Sequence, residues 1–187
     1  MQDIAPGLIQ KAAAGDIAAF EEIYRCTSGF VYGTAFRVTL NKSDAEDITQ
    51  EVFVRLYDNL KKFEFRSSFK TWVYRITVNA AINFIKRVKK DTGKNINLDI
   101  ENAASLKTEG SRSELEQKEL QGLLDSLLKE LSYEQRACIV LREIECLSYK
   151  DIAMALKINI NTVRSRLKRA RQALLSLKNK EVIKNEL

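Results

Sequence analysis

The residues best suited to chemistry form a strongly basic stretch near the C-terminus. Residues 152–180 contain eight lysines and arginines and no acidic residue. Within this stretch, apolar residues recur at steps of three and four, which is the stripe of an amphipathic helix. The stripe consists of Val163, Leu167, Ala170, Leu174 and Leu177. A helix that buries one face and presents only positive charge on the other is suited to binding a polyanion.

A second, shorter helix is predicted just before the basic one, over residues 148–156. Ser148 and Asp151 form a helix-capping pattern, and Asn159 suits the N-cap of the basic helix. The small residue Ala153 would lie where the two helices cross. The pair therefore predicts a helix-turn-helix whose second helix enters a DNA major groove. The residues predicted to face base edges and phosphates are Asn161, Thr162, Arg164, Ser165, Lys168, Arg169 and Gln172.

Three basic residues of this segment need separate interpretation. Lys157 occupies the turn position that usually holds glycine, and a left-handed conformation there would cost lysine about 1 kcal/mol. Arg166 and Arg171 lie nearer the apolar stripe. We expect these two arginines either to hold phosphates or to pair with acidic residues of the same domain.

A second set of candidate binding residues lies on a helix predicted over residues 68–90. This helix is apolar almost all round except for one stripe, formed by Trp72, Arg75, Asn79, Asn83, Lys86 and Lys90. The preceding loop adds Phe63, Phe65, Arg66, Ser67 and Ser68. Amides can pair with base edges, cations can hold phosphates, and an aromatic ring can stack on an unpaired base. The set favours single-stranded or melted DNA, unless Trp72 belongs to the core and the amides bond to nearby backbone.

The segment DAEDITQEVF, residues 44–53, contains four carboxylates and no basic residue. At about 100° per residue its helix has a core face, formed by Ala45, Ile48, Val52, Leu56 and Leu60. A neighbouring face carries Glu46, Gln50, Phe53 and Tyr57, with Asp47 and Val54 beside it. Such a mixed face is typical of a partner-docking site. The alternative is that Phe53 and Tyr57 widen the core stripe and the acids are solvated.

The elements that position these residues are all predicted to be helices. One proline and seven glycines in 187 residues leave few helix breakers. Helical periodicity is strong over residues 6–90 and 113–180, and weak in the polar segment between them. We therefore predict an all-α chain of two small helical domains, 1–90 and 113–187, joined by a flexible linker over 91–112. The first domain would have four helices, the third capped by Ser43.

Composition limits the classes of function. The net charge of +6 suits a nucleic-acid partner. The absence of histidine removes the commonest general base and metal ligand. The three scattered cysteines are expected to be buried thiols in a reducing compartment. With no secretion signal and no apolar run of about 20 residues, we expect a cytoplasmic protein that is not in the membrane and has no catalytic residue, metal site or cofactor.

Taken in order, three segments resemble the extracytoplasmic-function (ECF) group of bacterial sigma-70-family sigma factors. Residues 44–53 are similar to the family's core-polymerase-binding helix, and residues 69–84 to its −10 promoter helix. Residues 147–174 are similar to its −35 helix-turn-helix. The match covers nearly the whole chain, and the direct linking of two domains by about 20 residues is also similar to this group.

The resemblance implies partners for each segment. The residues expected to meet the clamp helices of the largest subunit of bacterial core RNA polymerase are Asp47, Gln50, Glu51 and Phe53. Asn79 and Asn83 would read the −10 element of promoter DNA, and the loop over 63–68 would hold an extruded base. The full −10 set is Phe65, Arg66, Ser68, Trp72, Arg75, Asn79, Asn83 and Lys86. The −35 element would face Arg164, Ser165, Lys168 and Arg169. Many relatives are inhibited by an anti-sigma factor, which the resemblance adds as a partner.

The sequence departs from the family pattern at one position, and two other classes of function remain open. Phe65 lies where the family often has glycine, which affects the pocket for the extruded base. The chain could instead be a dimeric helix-turn-helix regulator that binds duplex operators without polymerase, but this gives no purpose to the acidic helix. An enzyme holding Mg²⁺ through Asp44, Asp47 and Glu51 is a third class, although these carboxylates share one helix.

Overall fold

The computed structural model describes residues 4–92 and 122–185, and the side chains of 4–91 and 122–177. The chain divides into two compact units, Met1–Asn95 and Ile96–Leu187. Every regular element in the described residues is helical, and these residues contain no strand. The prediction of an all-α chain with two helical domains is therefore confirmed. None of the described helices is long and apolar enough to cross a membrane.

The first unit contains the four predicted helices. They are α1 (Pro6–Ala13), α2 (Ile17–Thr39), α3 (Lys42–Asn59) and α4 (Phe69–Thr92). Helix α3 continues into one 3₁₀ turn, Leu60–Lys62. Helix α4 runs two residues beyond its predicted end, so the first two residues of the predicted linker are helical. Residues 93–112 of that linker lie outside the described residues.

The core of the first unit is the contact region of α2, α3 and α4. Each helix contributes fully buried side chains, and the largest include Ile23 from α2, Ile48 and Leu56 from α3, and Tyr74 from α4. Burying such a side chain contributes about 1.5–3 kcal/mol. The buried hydroxyl of Thr77 donates to the carbonyl of Val73 at 2.9 Å, so this polar group is satisfied inside the helix.

The entry into α3 differs from the sequence-based prediction. Its N-cap is Asn41, whose side-chain oxygen accepts a hydrogen bond from the backbone N–H of Asp44 at 3.0 Å. Ser43 already lies in the first turn, so the prediction that Ser43 caps this helix was wrong. The cause is Leu40, whose left-handed backbone (φ 57°) ends α2 and places Asn41 in the extended conformation of a cap.

The second unit is also built from helices. Residues 122–129 form α5, and α6 (Tyr133–Ile139) runs directly into a π-helical turn, Val140–Ile144. The helix-turn-helix follows as α7 (Tyr149–Leu156) and α8 (Ile160–Asn185). The first residues of the predicted second domain, 113–121, lie outside the described residues.

Helices α6 and α7 both begin with a side-chain cap, and the cap predicted at Ser148 is confirmed. Ser132 and Gln135 form a reciprocal capping box at the start of α6, and the hydroxyl of Ser148 accepts the N–H of Asp151 at 3.1 Å. The cysteine prediction holds only for Cys138, which is buried. Cys26 and Cys146 are exposed free thiols.

The turn between α7 and α8 depends on one left-handed residue. Lys157 has φ 53° and ψ 45°, and its neighbour Ile158 donates its N–H to the carbonyl of Ala153 at 3.0 Å. This is the geometry in which glycine is favoured, because a side chain crowds the following carbonyl. Lysine therefore adopts a strained conformation at the turn that sets the direction of α8.

We expect Lys157→Gly to raise the free energy of unfolding of the second unit by about 1 kcal/mol, since glycine adopts φ > 0 without strain. Lys157→Ala retains the β-carbon and should give no gain. Urea denaturation followed by circular dichroism measures both variants. The fluorescence of Trp72, the one tryptophan, reports the first unit and should be unchanged. A shift seen in Trp72 fluorescence, or none in circular dichroism, would contradict this account.

Candidate nucleic-acid and partner-binding surfaces

Helix α8 presents the predicted −35 residues on its exposed side. Packing of Val163, Leu167 and Ala170 into the core leaves the opposite face in solvent. Thr162 is half-buried, and the exposed members are Asn161, Arg164, Ser165, Lys168, Arg169 and Gln172. The predicted N-cap is present, because Asn159 Oδ1 accepts the N–H of Asn161 at 2.8 Å. These residues therefore occupy one continuous solvent-facing surface of the second helix of a helix-turn-helix.

The cations of α8 fall into two groups. Arg166 Nη2 lies 3.7 Å from Glu134 Oε1, and Arg171 Nη2 lies 2.7 Å from Glu143 Oε1. Within the described residues, Arg164, Lys168 and Arg169 form no ion pair; Arg164 instead donates to Asn161 Oδ1 at 3.0 Å. The prediction that Arg166 and Arg171 pair with acids of their own domain is thus the alternative that the structure supports.

Arg171 has a second partner on the helix before it. Its Nη1 lies 3.4 Å from the hydroxyl of Tyr149, and hydrogen bonds to Glu143 and Tyr149 raise the pKa of Arg171. The guanidinium of Arg142 lies 5.2 Å from the centre of the Tyr149 ring and donates to the carbonyl of Leu147 at 2.8 Å. This cluster connects the π-helical turn, α7 and α8, and no sequence pattern had singled it out.

The second unit also buries ionisable groups that are unrelated to the DNA-facing surface. Arg136 is 3% exposed, and its Nε and Nη1 have no hydrogen-bond partner among the described residues. Burial lowers the pKa of Arg136 to about 10. Burial also raises the pKa of the Cys138 thiol to about 11, so this thiol is protonated and unreactive at neutral pH.

Most of the predicted polar stripe of α4 lies on the surface. Arg75, Asn83 and Lys86 are exposed, and Asn79 is half-buried between them. The face opposite this stripe packs into the core through Val73, Ala80 and Ala81. The stripe therefore presents the amide of Asn83 and three cations, since Lys90 is exposed as well, along about four turns.

Trp72 does not share that exposure. Its side chain is 8% exposed, with ring centroids 5.0 Å from Phe63 and 5.7 Å from Phe69. The structure thus supports the alternative in which Trp72 belongs to the core. An indole packed in this way has no free face on which a base could stack.

The loop before α4 offers a different aromatic ring. Phe65 is 46% exposed, and its ring lies 4.7 Å from that of Phe63. Its φ of 55° is left-handed, which is unusual for a bulky residue. The conformation is the one expected of glycine, the residue often found here in the family that the sequence resembles. Strain of this kind occurs most often at binding sites.

The other two loop candidates already have partners. Arg66 Nε lies 2.6 Å from Glu64 Oε2, and both side chains are largely exposed. The hydroxyl of Ser68 accepts the N–H of Thr71 at 3.1 Å, so Ser68 caps the start of α4. An exposed ion pair such as that of Arg66 is weak and exchangeable.

On α3, the predicted docking residues differ in exposure. Asp47 and Gln50 are exposed, and Glu51 is half-buried and paired with Arg55. Phe53 is 6% exposed and packs on Tyr24 with ring centroids 4.5 Å apart, so Phe53 widens the core stripe. Burial and the nearby Asp47 raise the pKa of Asp44.

The exposed apolar part of this face comes from Tyr57 and Val54, which were predicted on and beside it, and from α2, which was not. The exposed apolar side chains are Ile17, Tyr24, Val54 and Tyr57. Tyr57 packs on Phe20 with ring centroids 5.1 Å apart. We call these four residues together with Asp47 and Gln50 the α2–α3 surface. The spacing of Ile17, Phe20 and Tyr24 at steps of three and four was the sequence signal that could have revealed the contribution of α2.

Within the described residues, no group of three or more histidine, cysteine, aspartate or glutamate side chains is arranged to hold a metal ion. This includes the three carboxylates of α3 that the magnesium alternative invoked.

Comparison with known proteins identifies both units. Residues 23–91 match the family model "Sigma-70 region 2", and residues 121–174 match "Sigma-70, region 4". The chain is 30% identical over 173 residues to the RNA polymerase sigma-H factor of Pseudomonas aeruginosa, covering 89% of this chain and 90% of that protein. It is 32% identical over 176 residues to the ECF RNA polymerase sigma factor SigW of Bacillus subtilis, covering 89% and 92% respectively.

Two solved structures share the fold. One is CnrH in complex with the cytosolic domain of CnrY, with a TM-score of 0.63 and 22% identity over 92% of this chain and 96% of that one. The other is the sigma factor RpoE in complex with the anti-sigma factor NepR from Bartonella quintana, with a TM-score of 0.67 and 24% identity over 87% and 98%.

The chain therefore belongs to the sigma-70 family of RNA polymerase sigma factors. Within this family it is an alternative sigma factor of the ECF group, which directs promoter recognition in transcription initiation. The hypothesis of an operator-binding regulator is not favoured, because the match includes the first unit as well as the helix-turn-helix.

The packing of Trp72 gives a direct test of the loop structure. We expect weak acrylamide quenching of Trp72 fluorescence, and stronger quenching in Phe63→Leu, since Phe63 covers the indole. Phe65→Leu is the matched control, because among the described residues the Phe65 ring contacts the ring of Phe63 and not the indole. Quenching of the unaltered protein as strong as that of free tryptophan would place Trp72 on the surface and contradict the structure.

Proposed function

We propose that this sigma factor docks on bacterial core RNA polymerase through the α2–α3 surface, against the clamp helices of the largest subunit. The support is a surface on which exposed Asp47 and Gln50 lie among exposed Val54 and Tyr57. Apolar contacts rimmed by acids suit a partner helix that carries cations. Glu51 and Phe53 support this surface from its edge and from beneath, Glu51 through its pair with Arg55 and Phe53 through its contact with Tyr24.

The −10 element is proposed to bind along α4 and the loop before it. The exposed amide and cations of the stripe match base edges and phosphates, and the exposed Phe65 ring offers a stacking face. Stacking of one base on an aromatic side chain contributes about 1–3 kcal/mol. Extruding a base costs a few kcal/mol. Binding of the opened strand therefore shifts the melting equilibrium, while Trp72 supports the loop from inside the core.

The −35 element is proposed to bind to α8 in the major groove. The observation that carries this assignment is the exposed face of Arg164, Lys168 and Arg169, which lack acidic partners among the described residues. Asn161, Ser165 and Gln172 supply donors and acceptors on the same face. Because phosphate contacts release counterions, assembly on the promoter should weaken as salt rises.

The proposed organisation assigns residues 1–90 to polymerase and −10 binding, 91–112 to a linker and 113–187 to −35 binding. No catalytic step or cofactor is assigned to the chain, and its site of action is the bacterial cytoplasm, where promoter DNA and polymerase are located. An anti-sigma factor is the proposed inhibitor. The support is the similarity to RpoE, which was solved in complex with the anti-sigma factor NepR.

The decisive experiment is transcription in vitro from fragmented genomic DNA of the source bacterium, with core polymerase alone and with the purified chain added. We expect a small set of new transcript starts that share two spaced sequence elements. The 5′ ends are mapped by sequencing. Absence of any new start, with protein that is helical and monodisperse, would exclude the sigma-factor function.

Two double variants should separate the two proposed interfaces. Asp47→Ala with Gln50→Ala should lose capture by immobilised core polymerase and keep duplex DNA binding. Arg164→Ala with Lys168→Ala should keep core capture and lose the selected transcript starts. For duplex DNA binding by this variant, the slope of log K against log salt should be shallower by about 1 for each phosphate that is no longer bound. Glu22→Ala, an exposed acid on the opposite side of α2, is the control for core capture. If both double variants lost the same activity, the assignment of the surfaces would be wrong.

A further inference from the structure

Arg171 lies at the edge of the DNA-facing side of α8, next to cations that form no ion pair among the described residues. It follows Arg164 by seven residues and Lys168 by three, so it lies about 20° and about 60° from them around the helix axis. Its side chain is 46% exposed, so solvent and polyanions have access to it. By position, Arg171 is a phosphate-binding candidate of the same kind as Arg164.

Its guanidinium is nevertheless occupied. Glu143 Oε1 accepts from Arg171 Nη2 at 2.7 Å, and the side chain of Glu143 is itself 49% exposed. Glu143 lies in the π-helical turn Val140–Ile144, far from α8 in sequence. A carboxylate and a phosphate accept hydrogen bonds from a guanidinium in the same fork geometry. Glu143 thus occupies the donor group that a DNA phosphate would use.

The exposure of this pair distinguishes it from a structural ion pair. Both partners are about half exposed, and ion pairs of this kind are weak in water because solvent screens them. A phosphate can therefore replace the carboxylate, but only by breaking an existing interaction. The other polar groups around the pair are the guanidinium of Arg142, which lies over the Tyr149 ring, and the neutral Tyr149 hydroxyl, which contacts Arg171 Nη1.

We propose that Glu143 is an internal competitor for DNA phosphate, which neutralises Arg171 and lowers the affinity of α8 for DNA of any sequence. The proposal rests on the proposed function only in that α8 contacts DNA. Because the phosphate contribution is independent of sequence, removing one such interaction weakens non-specific binding without reducing base readout. Specific and non-specific affinity fall by the same factor, so their ratio is unchanged, while less of the free protein is held on non-promoter DNA.

The test is a fluorescence anisotropy titration of random-sequence duplex DNA with the full chain at several salt concentrations. Glu143→Gln keeps the shape of the side chain and removes its charge. We expect this variant to bind more tightly than the unaltered protein. The slope of log K against log salt should be steeper by about 1, the signature of one additional bound phosphate.

Glu134→Gln is the matched control. It makes the same charge change in the same unit and also releases an arginine of α8, because Glu134 pairs with Arg166. Arg166 lies at the other edge of the DNA-facing residues, about 160° from Lys168 and about 60° from Arg169. Its side chain is only 25% exposed, against 46% for Arg171, so a phosphate has less access to it. We expect the salt slope of Glu134→Gln to equal that of the unaltered protein.

Arg171→Gln completes the cycle. Alone, this variant should leave the slope of log K against log salt nearly unchanged. Combined with Glu143→Gln, it should abolish the increase in affinity and in slope that Glu143→Gln produces. An unchanged slope or weaker binding in Glu143→Gln would overturn the proposal and make the pair a purely structural interaction. An equal gain in Glu134→Gln, or failure of every variant to bind at the lowest salt, would also overturn it. Transcription with core polymerase does not depend on this result, so the two proposals can fail separately.

Discussion

Burial of the apolar stripe of α8 is the interaction on which the second unit depends. Val163, Leu167 and Ala170 are fully buried. Since an α-helix has a fixed angular step, removing this face from solvent determines which basic residues can reach DNA. Any rotation of α8 that exposed these side chains would also turn Arg164 and Lys168 away. Stability and the proposed DNA recognition therefore depend on the same packing interaction.

Charge is distributed around α8 by the acids of neighbouring elements. Glu134 and Glu143 lie at the two edges of the helix and form ion pairs with Arg166 and Arg171. The cations between these edges have no such partners among the described residues. A uniformly basic sequence thus becomes a narrow band of available positive charge. In the first unit, the exposed side of α3 carries acids and apolar side chains, in contrast to the basic exposed side of α8. The buried side of α3 is purely apolar.

Periodicity was sufficient to predict the helices and most of the exposed faces of α8 and α4, because α8 has one apolar stripe and α4 has one polar stripe. Periodicity did not predict the burial of residues at the edge of an apolar stripe, because that burial depends on contacts with another segment. Phe53 and Trp72 lie at stripe edges, and contacts with Tyr24 and Phe63 from other segments bury them. Asn41 replaced Ser43 as cap because Leu40 adopts a left-handed backbone, which no local pattern indicates. The π-helical turn and the buried Arg136 likewise depend on tertiary packing.

The cysteines have a practical consequence for measuring how the chain changes when it binds a partner. Cys26 on α2 and Cys146 after the π-helical turn are exposed, one in each unit, whereas Cys138 is buried and held in its protonated form. Thiol-reactive dyes will therefore attach to one position in each unit of the natural sequence. Cys26 lies on the side of α2 away from Ile17 and Tyr24. Energy transfer between the two labels then reports the separation of the units while the α2–α3 surface stays free.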